Sequence, residues 1–153
     1  MKLLLAVDDS EFSQEAVKQV SIHYNPQTTE IKILHVLTPT SYSAPPQMSR
    51  GYAPEMEEVE KKVRSDMDRS AKKLRAAGFT VDASVETGEV RSTIIDSAAD
   101  WGADLIVVGS RGNKGLERLV LGSVAESVVR HAKSSVLVVR KQALNTESSK
   151  WFA

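Results

Sequence analysis

Ala103-Asp104-Leu105-Ile106-Val107-Val108-Gly109-Ser110 holds, after Asp104, an apolar run that stops at a glycine and a serine. Unbroken apolar runs of this length, without polar alternation, read as strands buried on both faces. Working outward, Leu3 to Val7 is a run of the same kind closed by Asp8-Asp9, Val136 to Val139 is another, and Ile31 to Leu37, which includes Lys32 and His35, is mostly apolar and reads as a further strand. Phe79, Val81, Ala83 and Val85 instead alternate with Thr80, Asp82, Ser84 and Glu86. That period of two predicts a strand with one fully buried face, at a sheet edge.

Between these runs the period lengthens to that of a helix. Ala16, Val17, Val20 and Tyr24 mark a first helix, with Ser10 or Ser13 as N-cap and Asn25-Pro26 as its stop. Met56, Val59, Val63, Met67, Ala71 and Leu74 mark a long amphipathic helix whose charged face is read as solvated, ended by Gly78. Val90, Ile94, Ala98 and Trp101 mark a third, closed by Gly102, and Val124, Val128, Val129 and Ala132 a fourth. Strict alternation of strand and helix implies an α/β class: a single-domain, Rossmann-like, three-layer α/β/α fold around a five-stranded parallel sheet. Right-handed crossovers and an edge-like third strand select the order 3-2-1-4-5. In such sheets ligands settle beyond the carboxyl ends of the strands where the order reverses, here at Asp8-Asp9 and Gly109-Ser110. One domain over residues 1–140 is expected, with a surface loop at 38–54 that holds four of the five prolines, and a polar tail at 141–153 ending in Trp151-Phe152.

The chain has 153 residues, enough for one core without disulfide or metal staples. It has no cysteine, which excludes disulfide frameworks, zinc–cysteine sites, iron–sulfur clusters and thiol catalysis. Twenty Lys and Arg balance twenty Asp and Glu, so neither nucleic acid nor an anionic membrane is an expected partner. The apolar run at the start ends after five residues at Asp8-Asp9, too short for a signal sequence, and no stretch approaches a membrane span. A cytoplasmic location is the expectation.

The segment Gly109-Ser110-Arg111-Gly112-Asn113-Lys114-Gly115-Leu116-Glu117-Arg118-Leu119-Val120-Leu121-Gly122-Ser123-Val124 leaves a buried strand, turns through glycines and enters a helix at Ser123. Glycines at 109, 112 and 122 would let main-chain N–H groups approach a phosphate, and the following helix offers free donors and the positive end of its dipole. Arg111, Lys114 and Arg118 add local cations. The plainer reading is a loop with glycines for turns, in which Ser123 and Glu126 form an S-x-x-E capping box that needs no ligand. The spacing fits neither G-x-x-x-x-G-K-[ST] nor G-x-G-x-x-G, which disfavours a P-loop NTPase and a dinucleotide dehydrogenase.

The spacing that is present, G-x2-G-x9-G-S from Gly109 through Gly112 to Gly122-Ser123, occurs with Val7-Asp8-Asp9-Ser10, Leu34-His35-Val36 and Val136-Leu137-Val138-Val139. Together these resemble the universal stress protein family over about residues 2–140. The resemblance implies an ATP-binding α/β domain, usually a homodimer. Carried over by position, Val7 and Asp8 would meet the adenine and Val36 would line the base pocket. Gly109 would lie near the ribose and Gly112 near the phosphates, while Gly122, Ser123 and Val124 would hold the terminal phosphates. Ala6-Val7 stands where some ATP-binding members have Pro-Thr, a departure that bears on the geometry of the base pocket.

Asp8 could accept hydrogen bonds from a base or ribose or hold Mg²⁺; its structural alternative is to cap the first helix. Any Mg²⁺ would take most of its ligands from the phosphates themselves. His23, His35 and His131 lie in different elements without metal-ligand spacing, so no metal site is expected. No arrangement for nucleophilic or general-base catalysis stands out, which favours a binder over an enzyme. The apolar Val136 to Val139 at an open edge suggests pairing with a second copy, or else cover by Trp151 and Phe152. The leading expectation is an ATP-binding (or ADP- or AMP-binding) stress-response or signalling regulator with little or no hydrolysis. The alternatives are a slow ATPase or nucleotidyl transferase, and a nucleotide-free dimeric interaction module.

Overall fold

The computed structural model describes residues 1–38, 53–112 and 121–141, with side chains from Met56 onward in the second segment. Most of the proline-rich loop, Lys114, Gly115 and Arg118, and the tail with Trp151 and Phe152 lie outside the described residues. The elements follow the alternation read from the sequence: β1 (Lys2–Ala6), α1 (Glu11–His23), β2 (Glu30–Leu37), α2 (Ala53–Ala76), β3 (Thr80–Thr87), α3 (Val90–Trp101), β4 (Leu105–Gly109), α4 (Ser123–His131) and β5 (Ser135–Val139). The strands form one five-stranded sheet in the order β3-β2-β1-β4-β5, and every pairing is parallel. The chain therefore has the α/β, Rossmann-like architecture expected. Among the described residues no helix is long and apolar enough to cross a membrane.

The central strand explains why β1 carries no polar residue after Lys2. Leu3 and Leu5 point into one layer, where they meet Val17 and Val20 of α1 and Met67 and Leu74 of α2. Leu4 points into the other, with Ile94 and Ala98 of α3 and Val128 of α4. All three leucines are fully buried, each contributing about 2 kcal/mol of transfer free energy. β3 pairs only with β2, which leaves its other side open and accounts for its alternating pattern. β5 lies at the opposite edge, where only Val139 is fully buried while Val136, Leu137 and Val138 are half-buried.

The helix ends match local chemistry. Ser10, not Ser13, caps α1: its hydroxyl accepts from the Ser13 amide at 3.3 Å. α2 ends in a Schellman turn, with the Gly78 amide donating to the Arg75 carbonyl at 2.9 Å and the Phe79 amide to the Leu74 carbonyl at 3.1 Å. Gly78 has a φ of +98°, and buried Phe79 and Leu74 share one cluster, which completes the motif. Glu89 caps α3. Its Oε2 accepts from the Ser92 amide at 2.8 Å and its Oε1 from Arg91 Nε at 2.8 Å.

Two stability predictions follow from these caps. A Cβ at residue 78 would meet Pro26 only at ordinary contact distance, so Gly78→Ala carries a conformational cost alone. It should lower unfolding free energy by about 1 kcal/mol in urea titration. The Ser92 amide, with Arg91 and the Ser92 hydroxyl, holds the Glu89 carboxyl down to about 2, against an ordinary 4.5. A carboxyl depressed on folding stabilises fully above its unfolded pKa, and that contribution fades as pH falls from about 4.5 toward 2. Glu89→Ala should therefore cost at most about 1 kcal/mol at neutral pH, since the group is exposed and screened. The urea midpoints of variant and parent should converge as the pH is lowered through that window.

Candidate functional site

The reversal in strand order lies between β1 and β4, and the two segments leaving them touch. Asp8 follows β1 and shares one oxygen between two donors: Oδ1 accepts from the Ser10 amide at 2.9 Å and from the Ser13 hydroxyl at 2.8 Å. The Asp8 amide donates to Ser13 Oγ at 2.8 Å, closing a tight turn into α1. The capping role open to Asp8 is thus taken up by one oxygen. Its Oδ2 lies beside Gly112, so close that a Cβ there would be 2.9 Å away.

The other two glycines of the loop are needed for reasons the spacing does not reveal. At Gly109 a Cβ would lie 2.8 Å from Phe12 Cβ and 3.1 Å from the Phe12 main-chain carbon, because α1 presses directly on the end of β4. At Gly122 it would lie 3.2 Å from Arg111 Cα and 3.3 Å from the Ser110 carbonyl oxygen. The Gly122 amide also donates to that carbonyl at 2.7 Å, so the two ends of the loop are clamped together. The space opened by glycines 109 and 122 is filled by the protein's own chain. A branched residue at 122 would break this clamp, which makes it a poor probe of any ligand.

The capping box expected from Ser123 and Glu126 does not form. Gly122 is the N-cap of α4, with no side chain capping the first turn, and Ser123 is the first helical residue. The frame is shifted by one because the clamp on Ser110 holds Gly122 extended, at φ −70° and ψ 162°. Glu126 pairs instead with Arg130 at 2.9 Å. The first-turn amides of Ser123 and Val124 have no acceptor within the helix, and the helix dipole is positive there. Arg111, half-buried, pairs with no carboxylate among the described residues.

Beside this loop a cavity of about 370 Å³ opens between α1, α2 and the ends of β1 and β2. Val7 and Asp8 line it, as do His35, Val63, Asp66, Met67 and Ser70. Burial lowers the pKa of His35, with Asp8, Asp9 and the Val7 main chain pulling it partly back. Asp9 and Lys62 form an exposed ion pair across the mouth at 3.9 Å. The structure thus gathers Val7, Asp8, Gly109, Arg111, Gly112, Gly122, Ser123 and Val124 at one end of the sheet. Val36 is on the neighbouring strand but packs into the α3–α4 layer and does not line the cavity. The contribution of α2 was not legible as a site. Its signal was the presence of Asp66 and Ser70 on the same stripe as Val63 and Met67, polar positions on the face that turns inward.

Comparison with known proteins places this geometry in a family. The sequence profile of the universal stress protein family matches residues 1–140. The chain is 29% identical over 149 residues to the universal stress protein Sll1388 of Synechocystis, covering 91% of this chain and 97% of that protein. Its fold superimposes on the MJ0577 structure from Methanocaldococcus jannaschii with a TM-score of 0.80 and 28% identity, over 93% of this chain and 96% of that one. A universal stress protein family structure from Arabidopsis thaliana with AMP bound shares the fold at a TM-score of 0.64 and 22% identity, over 97% of each chain. The chain belongs to the universal stress protein family.

Proposed function

We propose that this protein binds an adenine nucleotide, ATP or its diphosphate or monophosphate, across the carboxyl ends of β1 and β4. The observation that carries the reading is the uncapped first turn of α4, held by the Gly122–Ser110 clamp at the same end of the sheet as an Asp8 oxygen that no described donor occupies. Main-chain amides at a helix N-terminus suit a phosphate group without further help. In this reading Ser123 and Val124 donate their amides, Ser123 adds its hydroxyl, and Arg111 supplies the nearby positive charge. Asp8 Oδ2 accepts from the ribose or base, and Val7 lies against the base. Gly112 keeps the loop close to Asp8. The Arabidopsis structure of the same fold has AMP bound, which supports the class of ligand.

Among the described residues no group of three His, Asp or Glu is placed to hold a metal ion. Because Mg²⁺ keeps several waters and takes few carboxylates, any Mg²⁺ would arrive with the nucleotide and be held mainly by its phosphates. The protein acts as a nucleotide-responsive regulator in the cytoplasm with little or no hydrolysis, and two copies associate through the edge of β5.

Two experiments test this reading. Denaturing the purified protein and chromatographing what is released should yield an adenine nucleotide, and ATP with Mg²⁺ should titrate into the stripped protein. Ser123→Pro removes one amide and the hydroxyl while suiting the first helical position, because Gly122 before it is already extended. It should leave the thermal midpoint nearly unchanged and weaken ATP at least about ten-fold; unaltered affinity would remove α4 from the site. For the β5 edge, Val138→Lys should convert a dimer to a monomer in sedimentation, since a charge on an apolar edge opposes strand pairing.

A further inference from the structure

We infer that the open edge of β3 docks an extended segment of a partner protein as an added strand, one that alternates basic and apolar side chains. Among the described residues β3 is paired on one side only, with β2. In a parallel ladder a residue turns both its N–H and its C=O to the same neighbour, and the next residue turns them away. The Gly88 amide donates to the Leu37 carbonyl of β2 at 2.9 Å, so Glu86, Ser84 and Asp82 face β2 in the same way. Val81, Ala83, Val85 and Thr87 then present their main-chain groups to the open side. Arg75 agrees with this parity, since its guanidinium donates to the Val81 carbonyl at 2.8 Å. No other described side chain bonds to this row.

The side chains of the strand decide what can pair with it. Sheet edges are commonly protected by Lys, Pro or a bulge, and Thr80-Val81-Asp82-Ala83-Ser84-Val85-Glu86-Thr87 runs in unbroken register without any of them. Asp82, Ser84 and Glu86 lie on the face toward α3, where the apolar cluster under α3 and α4 includes no residue of β3. Glu86 is answered there: its Oε1 accepts from the Ser97 hydroxyl at 2.9 Å and lies 3.9 Å from Lys32 Nζ. Asp82 is exposed and pairs with no cation among the described residues. On the opposite face Ala83 and Val85 are only half-buried against the core beneath α2. A strand laid alongside thus meets carboxylates on one face and apolar surface on the other, and cross-strand pairs of opposite charge favour it. A second copy, paired edge to edge about a two-fold axis, would crowd two Asp82 and two Glu86 onto one face. The occupant is therefore a different chain, with Lys or Arg beside the acids and Val or Ile beside Ala83 and Val85. Main-chain bonds supply its affinity and the alternating side chains its selectivity.

The test titrates the full-length protein with a capped Lys-Val-Lys-Val-Lys-Val-Lys peptide and follows amide hydrogen exchange by nuclear magnetic resonance. In the free protein the Ala83, Val85 and Thr87 amides should exchange fast while those of Ser84 and Glu86, bonded to β2, exchange slowly. Saturating peptide should slow the fast set at least about ten-fold. A peptide of equal charge with Pro in place of each Val cannot form a strand ladder and should leave them fast. Asp82→Lys, at an exposed side chain, should keep the thermal midpoint and weaken the Val peptide at least about five-fold. Equal effects of the two peptides would reduce the contact to charge attraction and overturn the inference. So would binding that leaves these amides fast or is indifferent to Asp82→Lys. Slow exchange at Ala83, Val85 and Thr87 in the free protein would show the edge already taken, by another part of this chain or by a second copy, and would overturn it as well.

Discussion

Asp8 accepts two hydrogen bonds at Oδ1, from the Ser10 amide and the Ser13 hydroxyl, and turns Oδ2 toward Gly112. The first pair fixes how the chain leaves β1 and begins α1; the second oxygen marks where the β4 loop passes. Everything at this end of the sheet is positioned relative to that carboxylate. α1 starts where it does because of it, and α1 in turn presses Phe12 against Gly109. The loop after Gly109 then closes through the Gly122 amide, which sets the first turn of α4. A short chain of main-chain contacts thus runs from the first strand to the last helix.

The rest of the fold is a support for that chain. Leu3, Leu4 and Leu5 divide their burial between two layers, so β1 is gripped from both sides and cannot slide without exposing apolar surface. Since β1 pairs with both β2 and β4, its register transmits to both. The helices are crossovers that parallel pairing requires, and their placement leaves the carboxyl ends of the central strands uncovered.

What could be read in advance follows from the range of the forces involved. Strands buried on both faces show themselves as unbroken apolar runs, and the edge strand β3 shows itself by alternation, because burial acts residue by residue. Gly78 and Gly102 were legible as helix ends because a left-handed turn is a local demand. Ser123 was not, since the capping box is a local pattern overridden by a contact between residues twelve apart, Ser110 and Gly122. The glycines at 109 and 122 were legible as necessary from their spacing, which tells that a side chain is forbidden; the fold adds that the protein's own chain stands in its way. Asp66 and Ser70 were lost in the charged face of α2 because their inward direction depends on how that helix is rotated against the sheet.

The close approach at Gly109 has a consequence for how such a protein can diverge. Its nearest neighbours are the Cβ and main-chain carbon of Phe12, atoms that nearly every amino acid possesses, so no compensating exchange at position 12 would make room. The gap between first helix and fourth strand is therefore inherited with the backbone and lies beyond the reach of point mutation. The wall contributed by α2 is made of side chains and can be rewritten one codon at a time. Evolutionary freedom is unevenly shared: one half of the cleft is frozen, and the other is open to drift toward new chemistry.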